Sequence, residues 1–179
     1  AERDPQVSAI VVAGAGRTFI AGADITALEH AAWGDRAAAA DLHALLARLE
    51  DARLPIVMAI HGTALGGGLE LAMAGHYRVA AEDALLGQPE VNLGIIPGGG
   101  GTQRLPHLVG RARALEIILG GDDIDAVTAE RWGYVNRSLR DGELRPFVDA
   151  LARRIAGLTA ESIALAKQAV DAAAADPTP

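Results

Sequence analysis

Two glutamates and three glycine-rich clusters are the parts of this chain whose types and spacing suit chemistry. Glu70 stands in Gly68-Leu69-Glu70-Leu71-Ala72-Met73, among apolar neighbours that would strip water from a carboxyl group. Glu90 follows Gln88-Pro89 at a predicted turn, where a surface carboxylate would be unremarkable. Two carboxyl groups flanking glycine-rich loops point to general acid and base work, with their proton affinities pushed apart or upward by burial. The chain has no cysteine, so thiol nucleophiles and thiolate metal sites are excluded.

The glycine clusters are Gly14-Ala15-Gly16, Gly66-Gly67-Gly68 and Gly98 to Gly101. Phosphate cradling fails on spacing. The first cluster lacks the third glycine of a dinucleotide fingerprint, and neither of the others is followed by the Lys-Ser/Thr pair of a P-loop. A helix start stripped of side chains instead exposes backbone N–H groups to a ligand, with the helix dipole adding positive potential. Ala21-Gly22-Ala23-Asp24-Ile25 offers a second set of small residues after a strand, closed by an Asp able to cap a helix. One N–H from each loop would converge on a carbonyl oxygen as it becomes an enolate, an arrangement in which each donor is worth on the order of 3 kcal/mol.

The five histidines carry less. His30, His43 and His107 fall in helical or exposed contexts, and His61 and His76 border a loop and a helix. No His-Glu-X-X-His or comparable spacing occurs, so no metal is expected, and no Gly-X-Ser-X-Gly elbow supports a Ser-His-Asp triad.

The elements that must position these residues follow from periodicity. Ser8 to Gly14 is a short β-branched run closed by glycine, a buried strand, and Ile56 to Ile60 is a second. Leucines 42, 45, 46 and 49 recur at helical spacing in an alanine-rich background, predicting a helix from about Asp35 to Ala52 that ends before Pro55. Gly62 to Gly68 reads as a loop, Leu69 to Ala74 as a helix stopped by Gly75, and Tyr77 to Ala81 and Ala84 to Gly87 as short strands. After the four glycines the pattern is mostly helical, with helices near 110 to 120, 126 to 132, 143 to 157 and 160 to 175. Strands and helices alternating first, then helices alone, imply an α/β core with a helical C-terminal layer. No internal repeat is visible.

The 179 residues fit a single domain, long enough to bury roughly 70% of the surface that its unfolded form exposes. Half of the residues are hydrophobic but only 3% are aromatic, so the core must be built from Ala, Leu, Val and Ile. The net charge is −7 with 16 scattered basic residues, which argues against a nucleic-acid footprint. No apolar stretch reaches the ~20 residues of a membrane span, and the first residues lack the pattern of a signal peptide. A cytoplasmic location is expected.

Three segments together resemble the crotonase (enoyl-CoA hydratase/isomerase) family. They are Phe19 to Ile25, Ala59 to Ala72 and Gly87 to Leu105, the last containing Gln88-Pro89-Glu90 and Pro97-Gly98-Gly99-Gly100-Gly101-Thr102-Gln103-Arg104. Arg113 to Tyr134 and Ala164 to Ala169 resemble the family's later region more loosely. The resemblance implies a spiral of ββα units, with residues 1–110 as the spiral catalytic core and 111–179 as a helical C-terminal region of one crotonase domain. It implies that N-terminal strands and C-terminal helices of the family are not part of this chain.

The same resemblance implies an acyl-CoA thioester substrate, no cofactor beyond it, and a homotrimer or dimer of trimers. Glu70 and Glu90 match the two catalytic glutamates of the hydratase branch, and the N–H groups of Ala23 and Gly67 match its oxyanion hole. Ala21, Asp24, Ile25, Thr26 and Gly66 would line the substrate, and Gly98 matches a backbone position near the catalytic water. The implied reaction is syn addition of water to a trans-2-enoyl-CoA, with Glu90 as donor to the α-carbon. Thr26 stands where many relatives carry a basic residue, and Lys167 is the only lysine, so phosphate recognition would fall on arginine or on residues not present here. An enoyl-CoA isomerase, the hydratase module of a multifunctional β-oxidation protein, and a non-catalytic acyl-CoA-binding or assembly subunit are the competing expectations.

Overall fold

A computed structural model describes residues 1, 4, 6–22, 36–140 and 142–175. In chain order its elements are β1 (Ile10–Ala13), α1 (Arg36–Glu50), β2 (Ile56–Ile60), β3 (Thr63–Leu65), α2 (Gly67–Met73), β4 (Tyr77–Ala81) and β5 (Leu85–Gly87). A 3-10 turn (Pro89–Leu93), α3 (Gly101–Val109), α4 (Arg111–Gly120), β6 (Ile124–Asp125), α5 (Ala126–Trp132), β7 (Arg137–Leu139), α6 (Leu144–Ala156) and α7 (Ala160–Ala175) follow.

Two small sheets organise these elements. The first has the order β1-β2-β4-β7 and is parallel throughout. The second has the order β3-β5-β6, with β3 and β5 parallel and β6 antiparallel. Each pass of the chain runs up one strand of the first sheet, turns into the second, and returns through a helix. β2-β3-α2 is one such turn, β4-β5 with the helices after it is the next, and β1 with the Ile20 bridge to Ala64 enters the same ladder. The expected spiral is therefore present, and it is a structural repeat without a sequence repeat, because each turn shares backbone geometry but not residues.

Parallel strands covered on both faces need apolar residues in both phases, and β2 (Ile-Val-Met-Ala-Ile) is buried at every position. Alternation then sorts its side chains between layers. Ile56, Met58 and Ile60 point into the main core with Leu69, Leu86, Leu105 and Tyr134, whereas Val57 and Ala59 join Val79 and Val148 beneath α6.

Several boundaries differ from the sequence expectation. Gly62 to Gly68 is not a plain loop: it contains β3, and α2 begins at Gly67. The C-terminal region is not purely helical, since β6 and β7 lie within it and β7 pairs with β4. These two- and three-residue strands carry too little alternation to be read, and their existence depends on a partner distant in sequence. In α1, Leu46 is fully buried and Leu49 partly so, but Leu45 faces out, so the apolar stripe is narrower than the leucine spacing suggests.

Candidate active site

α2 carries Glu70 because Gly66 sets where the helix can start. Gly66 takes φ 52°, ψ −127°, a conformation open to glycine and strained for other residues. Its carbonyl accepts from Leu69 N and Glu70 N, both at 2.9 Å, and from the Gln88 side-chain amide at 3.1 Å. Gly67 follows as the first helical residue, so its N–H has no acceptor within the helix. Gly68 lies against Ile20, whose carbonyl oxygen occupies the space a β-carbon would need. The second glycine cluster thus serves helix initiation, bare backbone and close packing in turn.

Glu70 is one helical turn further on, only 2% exposed. Its Oε1 accepts two backbone hydrogen bonds, from Gly99 N and Gly101 N, both at 2.7 Å. Short N–H···carboxylate bonds of this kind fix an acceptor in place. They require glycine: a β-carbon on Gly99 would fall 2.5 Å from Glu70 Oε2, and one on Gly101 would fall 3.0 Å from Oε1 and 2.6 Å from Gln88 Oε1. Gly98 is exposed, with nothing but Ile96 O at 4.0 Å from its β-carbon position.

Glu90 sits in the 3-10 turn that Pro89 opens. Its Oε1 lies 3.0 Å from where a Gly66 β-carbon would be, which brings this carboxyl to the start of α2. Its Oε2 is buried and has no hydrogen-bond partner among the described residues, and neither has Gln88 Oε1. Burial raises the Glu90 carboxyl above its ordinary value; its own backbone N–H works against this, and the negative charge of Glu70 adds to it. The site therefore holds one carboxyl locked by two donors and another biased toward keeping its proton.

Glu70, Glu90, Gly66 and Gly67 are thus brought together by the fold. Ala21 is exposed after the Ile20 bridge, and Ala23, Asp24, Ile25 and Thr26 lie outside the described residues. The sequence reading missed Gly99, Gly101 and Gln88 as parts of the site. The signal was present, since four bare residues opening α3 invite the same close backbone approach as those opening α2. Among the described residues no group of three or more His, Asp or Glu is placed to hold a metal ion. No helix among them is long and apolar enough to cross a membrane.

The spiral of ββα turns defines the crotonase class, and on it Glu70 sits on the helix behind a three-glycine start with Glu90 on the next turn. The family description Enoyl-CoA hydratase/isomerase matches residues 1–179, and the chain belongs to that family. It is 42% identical over 168 residues to the probable enoyl-CoA hydratase echA8 of Mycobacterium leprae, covering 94% of this chain and 65% of that protein. It is 46% identical over 166 residues to the probable enoyl-CoA hydratase of Bacillus subtilis, covering 91% and 64%. The crystal structure of an enoyl-CoA hydratase subunit from Geobacillus kaustophilus superimposes with a TM-score of 0.88 at 39% identity, over 99% of this chain and 68% of that one. The chain spans just under two thirds of the length of these curated relatives.

Proposed function

We propose that this chain carries the catalytic carboxyls of an enoyl-CoA hydratase, a hydro-lyase adding water syn across a trans-2-enoyl-CoA to give a 3-hydroxyacyl-CoA. One observation carries the reading: Glu70 is buried with Oε1 held by Gly99 and Gly101, beside a Glu90 whose Oε2 is buried and unpartnered among the described residues. An orphaned carboxyl oxygen next to an oriented one is suited to grip a water molecule between them.

In the proposed reaction the oxygen of that water bonds to the β-carbon of the substrate. The π electrons shift toward the thioester, whose oxygen gains negative charge. The Gly67 N–H receives that charge, together with the N–H of Ala23. The carboxyl pair takes one proton from water, and Glu90 gives one proton to the α-carbon, so the pair ends with the protons it began with. The upward bias on Glu90 supports its assignment as donor. The reaction is redox-neutral and polar, so water and the CoA thioester are its only reactants and it calls for no cofactor. Ala21, Gly66 and the 24–26 segment would line the thioester, with Gly98 near the water.

The test is to mix the purified chain with 2-enoyl-CoA thioesters and follow loss of conjugated absorbance, with 3-enoyl thioesters in parallel. Hydration supports the proposal. Double-bond migration in the 3-enoyl series assigns an isomerase instead, and binding without turnover assigns an acyl-CoA-binding subunit. A homotrimer or dimer of trimers belongs to the same proposal. Leu93 at 74% and Ile96 at 69% exposure supply apolar surface of the kind subunit contacts cover, and light scattering measures the mass.

A further inference from the structure

We propose that Arg104 and Glu50 form a clamp that positions Glu70 by holding Gly99 from outside the site. All three guanidinium nitrogens of Arg104 are engaged. Nε donates to Glu50 Oε1 at 2.6 Å and Nη2 to Glu50 Oε2 at 2.7 Å, a bidentate fork, while Nη1 donates to the Gly99 carbonyl at 2.8 Å. Gly99 in turn donates its own N–H to Glu70 Oε1 at 2.7 Å. Gly99 is thus held on both sides of its α-carbon, and a continuous chain of charge-assisted bonds runs from Glu50 through Arg104 and Gly99 to Glu70.

The loop needs such a clamp. Four successive glycines have more backbone freedom to lose than any other tetrapeptide, and none brings a side chain to pack it in place. Arg104 lies across this loop closely enough that a β-carbon on Gly100 would collide with its Nη1. The far end of the chain is anchored as well. The carbonyl of Glu50, the last residue of α1, accepts from His76 Nε2 at 2.9 Å and from Lys167 Nζ at 3.0 Å, so it is tied to the entry of β4 and to α7. Exposed ion pairs contribute little to stability. The side chains here are 17% and 42% exposed, and what the pair contributes is geometry, because the Glu70 carboxyl is only as well aimed as the glycines that hold it.

This inference rests on the reading of Glu70 as a hydratase carboxyl, so its test has one readout that turnover does not enter. Arg104→Met, Arg104→Lys and Glu50→Gln are prepared, and amide exchange at Gly99 and Gly101 is measured by NMR beside kcat and KM for a 2-enoyl-CoA. Arg104→Met is expected to speed exchange at both glycines at least about 10-fold, leave β2 and β4 amides unchanged, and lower kcat about 10- to 100-fold at a KM within about twofold. Arg104→Lys keeps the charge but not the fork, and falls between. Unchanged exchange at the two glycines, or a rise in KM at constant kcat, overturns the clamp. If the unaltered chain hydrates no enoyl thioester, the hydratase reading fails alone and exchange still decides the clamp. If Arg104→Met does not fold, Glu50→Gln at the more exposed end of the pair gives the same two readouts.

Discussion

The side-chain amide of Gln88 donates to the carbonyl of Gly66 at 3.1 Å. That carbonyl shares a planar trans peptide with the Gly67 N–H, so holding the oxygen aims the N–H the opposite way. Gln88 is fully buried, and it joins the segment carrying Glu90 to the peptide proposed to bind the thioester oxygen. Gln88→Met keeps the bulk and removes the bond. It is expected to lower the melting temperature by roughly 2–4 °C, equivalent to about 1 kcal/mol, and to lower kcat by more than stability alone explains. Paired thermal melts and steady-state kinetics check this, and a melting shift with kcat intact would limit Gln88 to a structural role.

Gly101→Ala puts a methyl group 3.0 Å from Glu70 Oε1 and 2.6 Å from Gln88 Oε1. The loop must move away from Glu70, and hydration is expected to fall about 100-fold, the usual consequence of an ångström-scale misplacement. Gly120→Ala, at the end of α4 with open space around its α-carbon, is the control. Its stability should stay level or rise by about 0.5–1 kcal/mol with activity unchanged.

Glu70→Gln and Glu90→Gln are each expected to lower kcat at least about 100-fold while the fold persists. Glu90→Gln is also expected to change stability against pH. The proton affinity of Glu90 is higher folded than unfolded, so its contribution is fully present below the unfolded value and is lost as pH rises through the raised folded one. Glu90→Gln removes that loss, and the variant should gain on the unaltered chain as pH rises from about 4 toward neutrality. Thermal melts across that range decide it, and parallel curves would contradict the assignment.

His76 behaves in the opposite sense. Its Nδ1 accepts from Ile56 N at 3.0 Å and its Nε2 donates to Glu50 O at 2.9 Å, a pairing that only the neutral ring makes. Burial lowers its proton affinity, and Lys167 adds to this against the pull of the Glu50 carbonyl and carboxylate and of Asp171. The contribution of a group depressed in this way is present above the unfolded value near 6.5 and is lost as pH falls through the folded one. Acidification from pH 7.5 to 5 should lower the melting temperature of the unaltered chain more than that of His76→Gln. Equal losses would show that the ring does not report the fold.

Tyr134→Phe is expected to hold or raise stability by about 1 kcal/mol. The Tyr134 ring is fully buried in the main core and its hydroxyl has no hydrogen-bond partner among the described residues. Removing an unpaired buried hydroxyl removes its desolvation cost. Urea unfolding measures the change, and a loss beyond about 1 kcal/mol would reveal that the hydroxyl is paired in solution.

Elements with a strong local signature were legible from the chain alone. β2 and β4 fall at Ile56–Ile60 and Tyr77–Ala81, as their apolar runs predict, and the last predicted helix is present as α7, Ala160–Ala175. The three-residue β5 was read from its apolar run closed by Gly87, whereas β3, β6 and β7, as short or shorter and without such a bounded run, were not legible. β7 is a strand only because β4 lies beside it, more than 50 residues earlier in the chain. The α3 start also escaped: the glycine run was clear, but not that its helix begins at Gly101 and continues through Pro106.

The residue types of the site were determined by the sequence itself. A glutamate among apolar neighbours, three glycines ahead of it and a second glutamate after Gln-Pro are local facts, and they put two carboxyl groups close to stretches of bare backbone. Which glycines do the holding was decided only by tertiary structure. Gly99 and Gly101, not the adjacent exposed Gly98, meet Glu70 from 29 and 31 residues away, and Arg104 reaches back to Glu50 across 54. A hydrogen bond is a matter of ångströms and direction in space, whereas spacing along a chain constrains direction only within one helix or strand.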